Sequence, residues 1–197
     1  MSLGIFTHSA ALLQPPHSPI SPAVFLIIED AIRTAWAKIR KMKADEFDLA
    51  SADEDTITQK LHEVLMDDVY NSGQVDGFNS TLISKGTREE KIRNFNRQHL
   101  DKMPDMVFGI VGRNVFLHTQ DGIFIECKPV DSDHTVVKHY CNKGIARFTR
   151  GEYAWCMLSS MMVGYAAPGY TVMPKLAGSL LLPLDEAFCY ARTSTDR

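Results

Sequence analysis

The chain of 197 residues carries 21 Lys and Arg against 24 Asp and Glu, a net charge of −3 with histidines neutral. That length supports one domain with a sizeable core, and the mildly acidic balance excludes a protein that coats DNA by bulk positive charge. The longest apolar run near the amino terminus, Ala23 to Ile28, stops at Glu29 and Asp30, far short of the ~20 residues of a membrane span.

The chain opens Met-Ser-Leu-Gly without a basic stretch, so a secretory signal is not expected. The four cysteines, Cys127, Cys141, Cys156 and Cys189, form no Cys-x-x-Cys pair and sit in apolar or helical contexts. That usage fits reduced thiols in a soluble, cytoplasmic protein with no membrane partner.

In chain order, residues 1–20 contain Pro15, Pro16 and Pro19 and read as an irregular arm. Ser21-Pro22 supplies an N-cap and a first-turn proline for a helix from Pro22 to Lys43, with Phe25, Ile28, Ile32, Trp36 and Ile39 at helical spacing. Its basic end, Lys38 to Lys43, complements the helix dipole, with phosphate contact as the functional alternative. A second helix is expected over Asp55 to Tyr70, striped by Ile57, Leu61, Val64 and Leu65, with Glu63 beside the stripe. Thr81 to Ile83 reads as a short strand and Glu89 to Gln98 as a helical turn or two.

Beyond His134 the spacing predicts helix as far as Ala166, broken at Gly151. Val137, Tyr140, Cys141, Ile145 and Phe148 mark the first half, and Tyr153, Trp155, Met157, Met161 and Met162 the second. Tyr170 to Met173 and Ser179 to Leu182 read as late strands. Residues 21–190 thus form one domain, with its core over about 53–175, and 191–197 are a flexible tail.

The stretch that organises this layout is Pro104 to Lys128. Pro104-Asp105 leads into the apolar run Met106-Val107-Phe108, and Ile123-Phe124-Ile125 leads into Glu126-Cys127-Lys128. Side chains alternate along a strand, so Glu126 and Lys128 share one face and Cys127 takes the other. A neighbouring strand would bring Asp105 to the same place. Val115 to Leu117 is compatible with one arm of a long hairpin or with a strand of its own between the two.

Pro-Asp, a spacer and then Glu-x-Lys, set on apolar strands, resembles the PD-(D/E)XK nuclease superfamily over roughly Asp53 to Pro174. The resemblance implies an α/β (α+β) fold with a restriction-endonuclease-like core: a central mixed sheet of four to five strands flanked by helices, plus an extra N-terminal helix. It implies a metal-dependent phosphodiesterase, an endonuclease acting on nucleic acid, DNA before RNA, with Asp105, Glu126 and Lys128 catalytic. It also implies a Mg²⁺ or Mn²⁺ ion on Asp105, Glu126, the Cys127 backbone carbonyl and a carboxylate from the preceding helix. Glu63 is the first choice for that carboxylate, with Glu54, Asp67 and Asp68 behind it.

A helix after the Glu-x-Lys strand would present Lys138, His139, Lys143, Arg147 and Arg150 to nucleic acid, and a homodimer or partner subunit would help to read the target. An all-oxygen shell without histidine or thiolate favours Mg²⁺ or Mn²⁺ over zinc. Three readings compete with it. One is a solvent-facing ion pair between Glu126 and Lys128, worth ~0–1 kcal/mol. Another is a cysteine hydrolase built from His139 with Cys127 or Cys141. The last is a nuclease-like fold with an unused site, serving as a nucleic-acid-binding or assembly module.

Overall fold

The computed structural model describes residues 17–92, 102–115 and 117–170. Helix α1 (Pro22–Ile39) begins where the local chemistry requires. The Ser21 hydroxyl accepts from the Ala23 N–H, and Pro22 brings its preset φ to the first turn. The helix buries Val24, Ile28, Ala31, Ala35 and Ile39 along one stripe. It ends short of Lys43, so Arg40, Lys41 and Lys43 follow it off the helix.

Helix α2 (Glu54–Glu63) is capped by the Asp53 carboxylate, which accepts from the Thr56 N–H at 2.9 Å. The α-helix expected to reach Tyr70 widens into a π-helical turn, Val64–Val69, which buries Val64, Leu65 and Val69. Val64 and Val69 are five apart, the step that a π-helix stacks on one face.

Four strands form one mixed sheet in the order β1 (Ile83–Arg88), β2 (Met106–Ile110), β3 (Ile123–Val130), β4 (Met161–Ala166). The first three pair antiparallel, and β4 runs parallel to β3. With the helices, this gives the mixed α+β class expected. β2 and β3 are direct partners through Met106↔Ile125, Val107↔Phe124 and Phe108↔Ile123. No strand intervenes: Val115 and Leu117 lie outside strands, and His118–Gln120 is a single 3₁₀ turn. One further step of the β2–β3 register sets Asp105 across from Glu126, where opposed side chains meet on one face.

That register depends on Gly122, which enters β3 with φ +143, a conformation that L side chains rarely adopt. A Cβ there would lie 2.8 Å from the Phe108 carbonyl oxygen, and backbone cannot move aside as a side-chain tip can. We expect Gly122→Ala to cost on the order of 1–3 kcal/mol and to disturb the site through the β2–β3 pairing. Chemical denaturation tests the cost, and a variant as stable as wild type would show that the turn relaxes.

The stretch read as helix from His134 to Ala166 divides instead into helix and strand. A π-helical segment, Val136–Ile145, passes into a short α3 (Ala146–Thr149), and the chain then turns through left-handed Gly151 (φ 67) and Ala154 (φ 56). Met161 and Met162, counted in the second helical half, belong to β4. Their spacing from Tyr153 and Met157 imitates a helix, but six paired positions along β3, from Ile125↔Met161 to Val130↔Ala166, decide the outcome.

The π winding also regroups the first half. Val136 and Cys141, and Tyr140 and Ile145, are buried pairs five apart. Val137, expected in the apolar stripe, is exposed. Met162 and Tyr165 are three apart on β4 and so face opposite ways. Tyr165 stacks on Trp36 of α1, with ring centroids 5.4 Å apart, and Met162 packs with the π-helical segment on the other face. The sheet thus lies between α1 and α2 on one side and the π-helical segment on the other.

Glu89 to Lys91 are not helical, and Ile92 forms an isolated bridge to Lys102. The rest of that expected turn, most of the amino-terminal arm, the late strands from residue 171 and the tail lie outside the described residues. Among the described residues no helix is long and apolar enough to cross a membrane.

Candidate active site

Asp105, Glu126 and Lys128 meet at the mouth of the β2–β3 pair. The Cys127 N–H donates to Asp105 Oδ2 at 2.6 Å, tying the residue before β2 to the middle of β3. Lys128 Nζ lies 2.9 Å from Glu126 Oε1 and 3.9 Å from Asp105 Oδ2, and it donates to the Cys127 carbonyl at 2.8 Å. A fourth oxygen comes from α2: Nζ donates to Glu54 Oε1 at 2.5 Å. The ammonium therefore sits in a cradle of four oxygens drawn from α2, the start of β2, and β3.

Glu126 is 0% exposed, a carboxylate taken wholly out of water. Tyr153 donates its hydroxyl proton to Oε2. Among the described residues Oε1 receives no well-aligned hydrogen bond; beside it stand the cations Lys128 Nζ and Arg147 Nη1, the latter at 2.8 Å. Burial, with the Asp105 charge added, pushes Glu126 up from 4.5 to about 7, against the pull of Lys128, Tyr153 and Arg147. Burial likewise raises Asp105, opposed by the Cys127 N–H and Lys128 and assisted by Glu54. Burial works against the charge on Lys128, but Glu126, Glu54 and Asp105 outweigh it and hold the lysine protonated above its ordinary range.

The helix carboxylate brought to the site is Glu54 rather than Glu63. Glu63 accepts from Gln59 at 2.9 Å and pairs with Lys60 at 3.4 Å. Nine residues along an α-helix is about 13 Å of rise and roughly half a turn of rotation. Glu54 and Glu63 therefore occupy opposite ends and opposite sides of α2, and only the first faces Lys128. Asp68 stands 4.0 Å from Lys38 of α1.

Tyr153, which sequence reasoning took as a helical core residue, is the partner of Glu126 that went unassigned. Its 1% exposure comes from packing edge-on against Phe148, with ring centroids 5.1 Å apart. No sequence signal marks it, because the turn through Gly151 sets its direction.

The basic residues after β3 do not act as one face. Arg147 turns inward to Glu126, while Lys138, Lys143 and Arg150 are exposed. His139 meets the His134 ring edge-on, with centroids 4.9 Å apart. A 100° wheel does not apply across the π-helical segment, where residues five apart stack, so Lys138 and Lys143 are the pair that shares a side. Cys127 and Cys141 are buried, and burial drives the Cys127 thiol far above its ordinary range. A thiolate nucleophile at Cys127 is disfavoured on that ground.

The donor set suits a hard divalent cation: carboxylates of Glu54, Asp105 and Glu126 and one backbone carbonyl, with no sulfur or imidazole. Among the described residues no three such groups already stand close enough to chelate an ion; they are spaced around the ammonium instead. No family model, curated protein or solved structure matches the chain.

Proposed function

We propose that the chain is a metal-dependent phosphodiesterase, a nuclease with a restriction-endonuclease-like core, whose active site is Asp105, Glu126 and Lys128 with Glu54 in support. The observation that carries this reading is the cradle of four hard oxygens around a buried lysine, built from a Pro-Asp and a Glu-x-Lys on paired strands. Glu54, Asp105, Glu126 and the Cys127 carbonyl would hold Mg²⁺ or Mn²⁺, and that ion supplies charge neutralisation at the phosphate and a more acidic bound water.

The chain's own groups do the rest. The carboxylates keep Lys128 protonated, so it acts as a cation facing the negative charge that builds on the phosphate, rather than as a base. Tyr153 holds Glu126 Oε2, which leaves Oε1 turned toward Lys128 and Arg147. Water oxygen bonds to phosphorus and gives up a proton to solvent, the bond from phosphorus to the leaving oxygen breaks, and the leaving alkoxide takes up a proton from solvent. Incubating the purified chain with plasmid, linear DNA and RNA, with Mg²⁺, Mn²⁺ or EDTA, tests the assignment. Cleavage that EDTA stops is expected; intact substrates under every condition would refute it.

Lys138 and Lys143 are exposed on the segment that packs beside the site, and in this reading they would meet flanking phosphates. Each lysine–phosphate pairing removed should lower the salt-dependence slope by ~0.9 for duplex DNA. Binding of a cleavage-dead Asp105→Asn chain across a salt series should therefore flatten when both lysines become alanine. An unaltered slope would assign this face to solvent or a partner subunit.

A further inference from the structure

We propose that Lys128 is a resident cation which an entering divalent ion displaces, so that metal and ammonium compete for one oxygen cradle. This rests on the metal-dependent reading above and adds to it how the site is loaded. The four oxygens that suit a divalent cation are the same four that surround Nζ, at 2.5 Å (Glu54), 2.8 Å (Cys127 carbonyl), 2.9 Å (Glu126) and 3.9 Å (Asp105). An ammonium and a metal ion cannot both occupy the centre of that set.

The charge around the cradle explains why the lysine stays there. Arg147 is paired with Glu126, so among the described residues Lys128 alone reaches Glu54, Asp105 and Glu126 together. Removing it from the metal-free protein would leave three carboxylates to repel one another, with Arg147 on one of them.

The path of exchange is also set by the surroundings. Lys128 is 7% exposed, and its stem passes Gly144, where even an added Cβ would lie 3.5 Å from Lys128 Cγ. The glycine leaves the inner stem that space, and the outer bonds belong to a flexible chain that can swing. Glu54 and Asp105 keep 32% and 18% of their side-chain surface open, so a cation arrives on their side. The displaced ammonium swings out but stays tethered beside the cradle. Loading the metal thus also releases the lysine to face the phosphate.

Two measurements test this on the full chain. Acylation of lysines, read by mass spectrometry, should leave Lys128 protected in EDTA and modify it several-fold faster in saturating Ca²⁺, with Lys38 and Lys60 unchanged as internal controls. Mn²⁺ titration followed by electron paramagnetic resonance should show Lys128→Met binding roughly 10- to 100-fold tighter than wild type, the range of a one-site coupling. Lys128→Arg, which keeps a cation in place, should not gain. If wild type binds Mn²⁺ but Lys128 stays protected, or Lys128→Met gains nothing, the displacement is refuted and the nuclease reading stands. If neither protein binds a divalent ion, both fall. Should Lys128→Met fail to fold, the labelling of wild type decides alone.

Discussion

Glu126→Ala is expected to lower metal-dependent cleavage by about 10³-fold or more, and Asp105→Ala to match it. A metal ion contributes several kcal/mol of charge stabilisation, and each 1.36 kcal/mol is tenfold in rate, so loss of the ion at either carboxylate reaches that scale. The two losses differ in origin. Asp105 also receives the Cys127 N–H, so its removal loosens the β2–β3 junction. Glu126 anchors Arg147 and Tyr153, and Glu126→Ala leaves a guanidinium and a buried hydroxyl without their acceptor. Glu126→Gln keeps the volume and separates chemistry from packing. Lys128→Ala should lose cleavage to a similar degree while retaining Mn²⁺, which sets a catalytic cation apart from a ligand. Full activity in Glu126→Ala, measured on the substrate that wild type cuts, would sink the assignment.

What the sequence made legible was local. Asp105, Glu126 and Lys128 sit on or beside strands whose apolar runs are unambiguous, and a period of two fixes which side chains share a face. That periodicity carries as far as Glu126 and Lys128, which meet at 2.9 Å. Whether Asp105 joined them depended on pairing, and pairing depended on Gly122 and on Val115 and Leu117 lying outside strands, neither of which periodicity reveals.

The rest was hidden in three-dimensional choices. Glu63 looked better than Glu54 because it borders an apolar stripe, yet a ligand must lie at the end of the helix that points to the strand mouth, and helix direction is a tertiary fact. Met161 to Ala166 read as helix because Tyr153, Met157 and Met161, at four-residue steps, fit either period; the parallel partner β3 settles it. Arg147 is expected from the sequence to face nucleic acid with the other basic residues after β3, and the π winding before α3 turns it to a buried carboxylate instead.

The second large effect concerns pH. In the metal-free protein, Glu126→Gln should lie within about 1 kcal/mol of wild type near pH 5 and exceed it in stability by on the order of 3 kcal/mol at pH 8. The folded protein raises Glu126 from 4.5 to about 7, so between those values the native state keeps a proton that the unfolded chain releases. The native state then binds more protons, and the Glu126 contribution to stability falls as pH rises through that window, reaching its full loss above 7. Asp105 is raised as well and acts in the same direction. His17 and His62, lowered chiefly by burial, act oppositely near their ordinary range, so the wild-type curve alone mixes both signs. The difference between wild type and Glu126→Gln removes the histidines and isolates the carboxylate, since glutamine imitates its protonated form. At this chain length ~3 kcal/mol corresponds to roughly 6–12 °C in Tm. Saturating Mn²⁺ should close the gap at pH 8 by stabilising wild type more than the variant. Parallel stability curves from pH 5 to 8 in EDTA would mean that Glu126 is ionised throughout and that Lys128 and Arg147 compensate its burial in full.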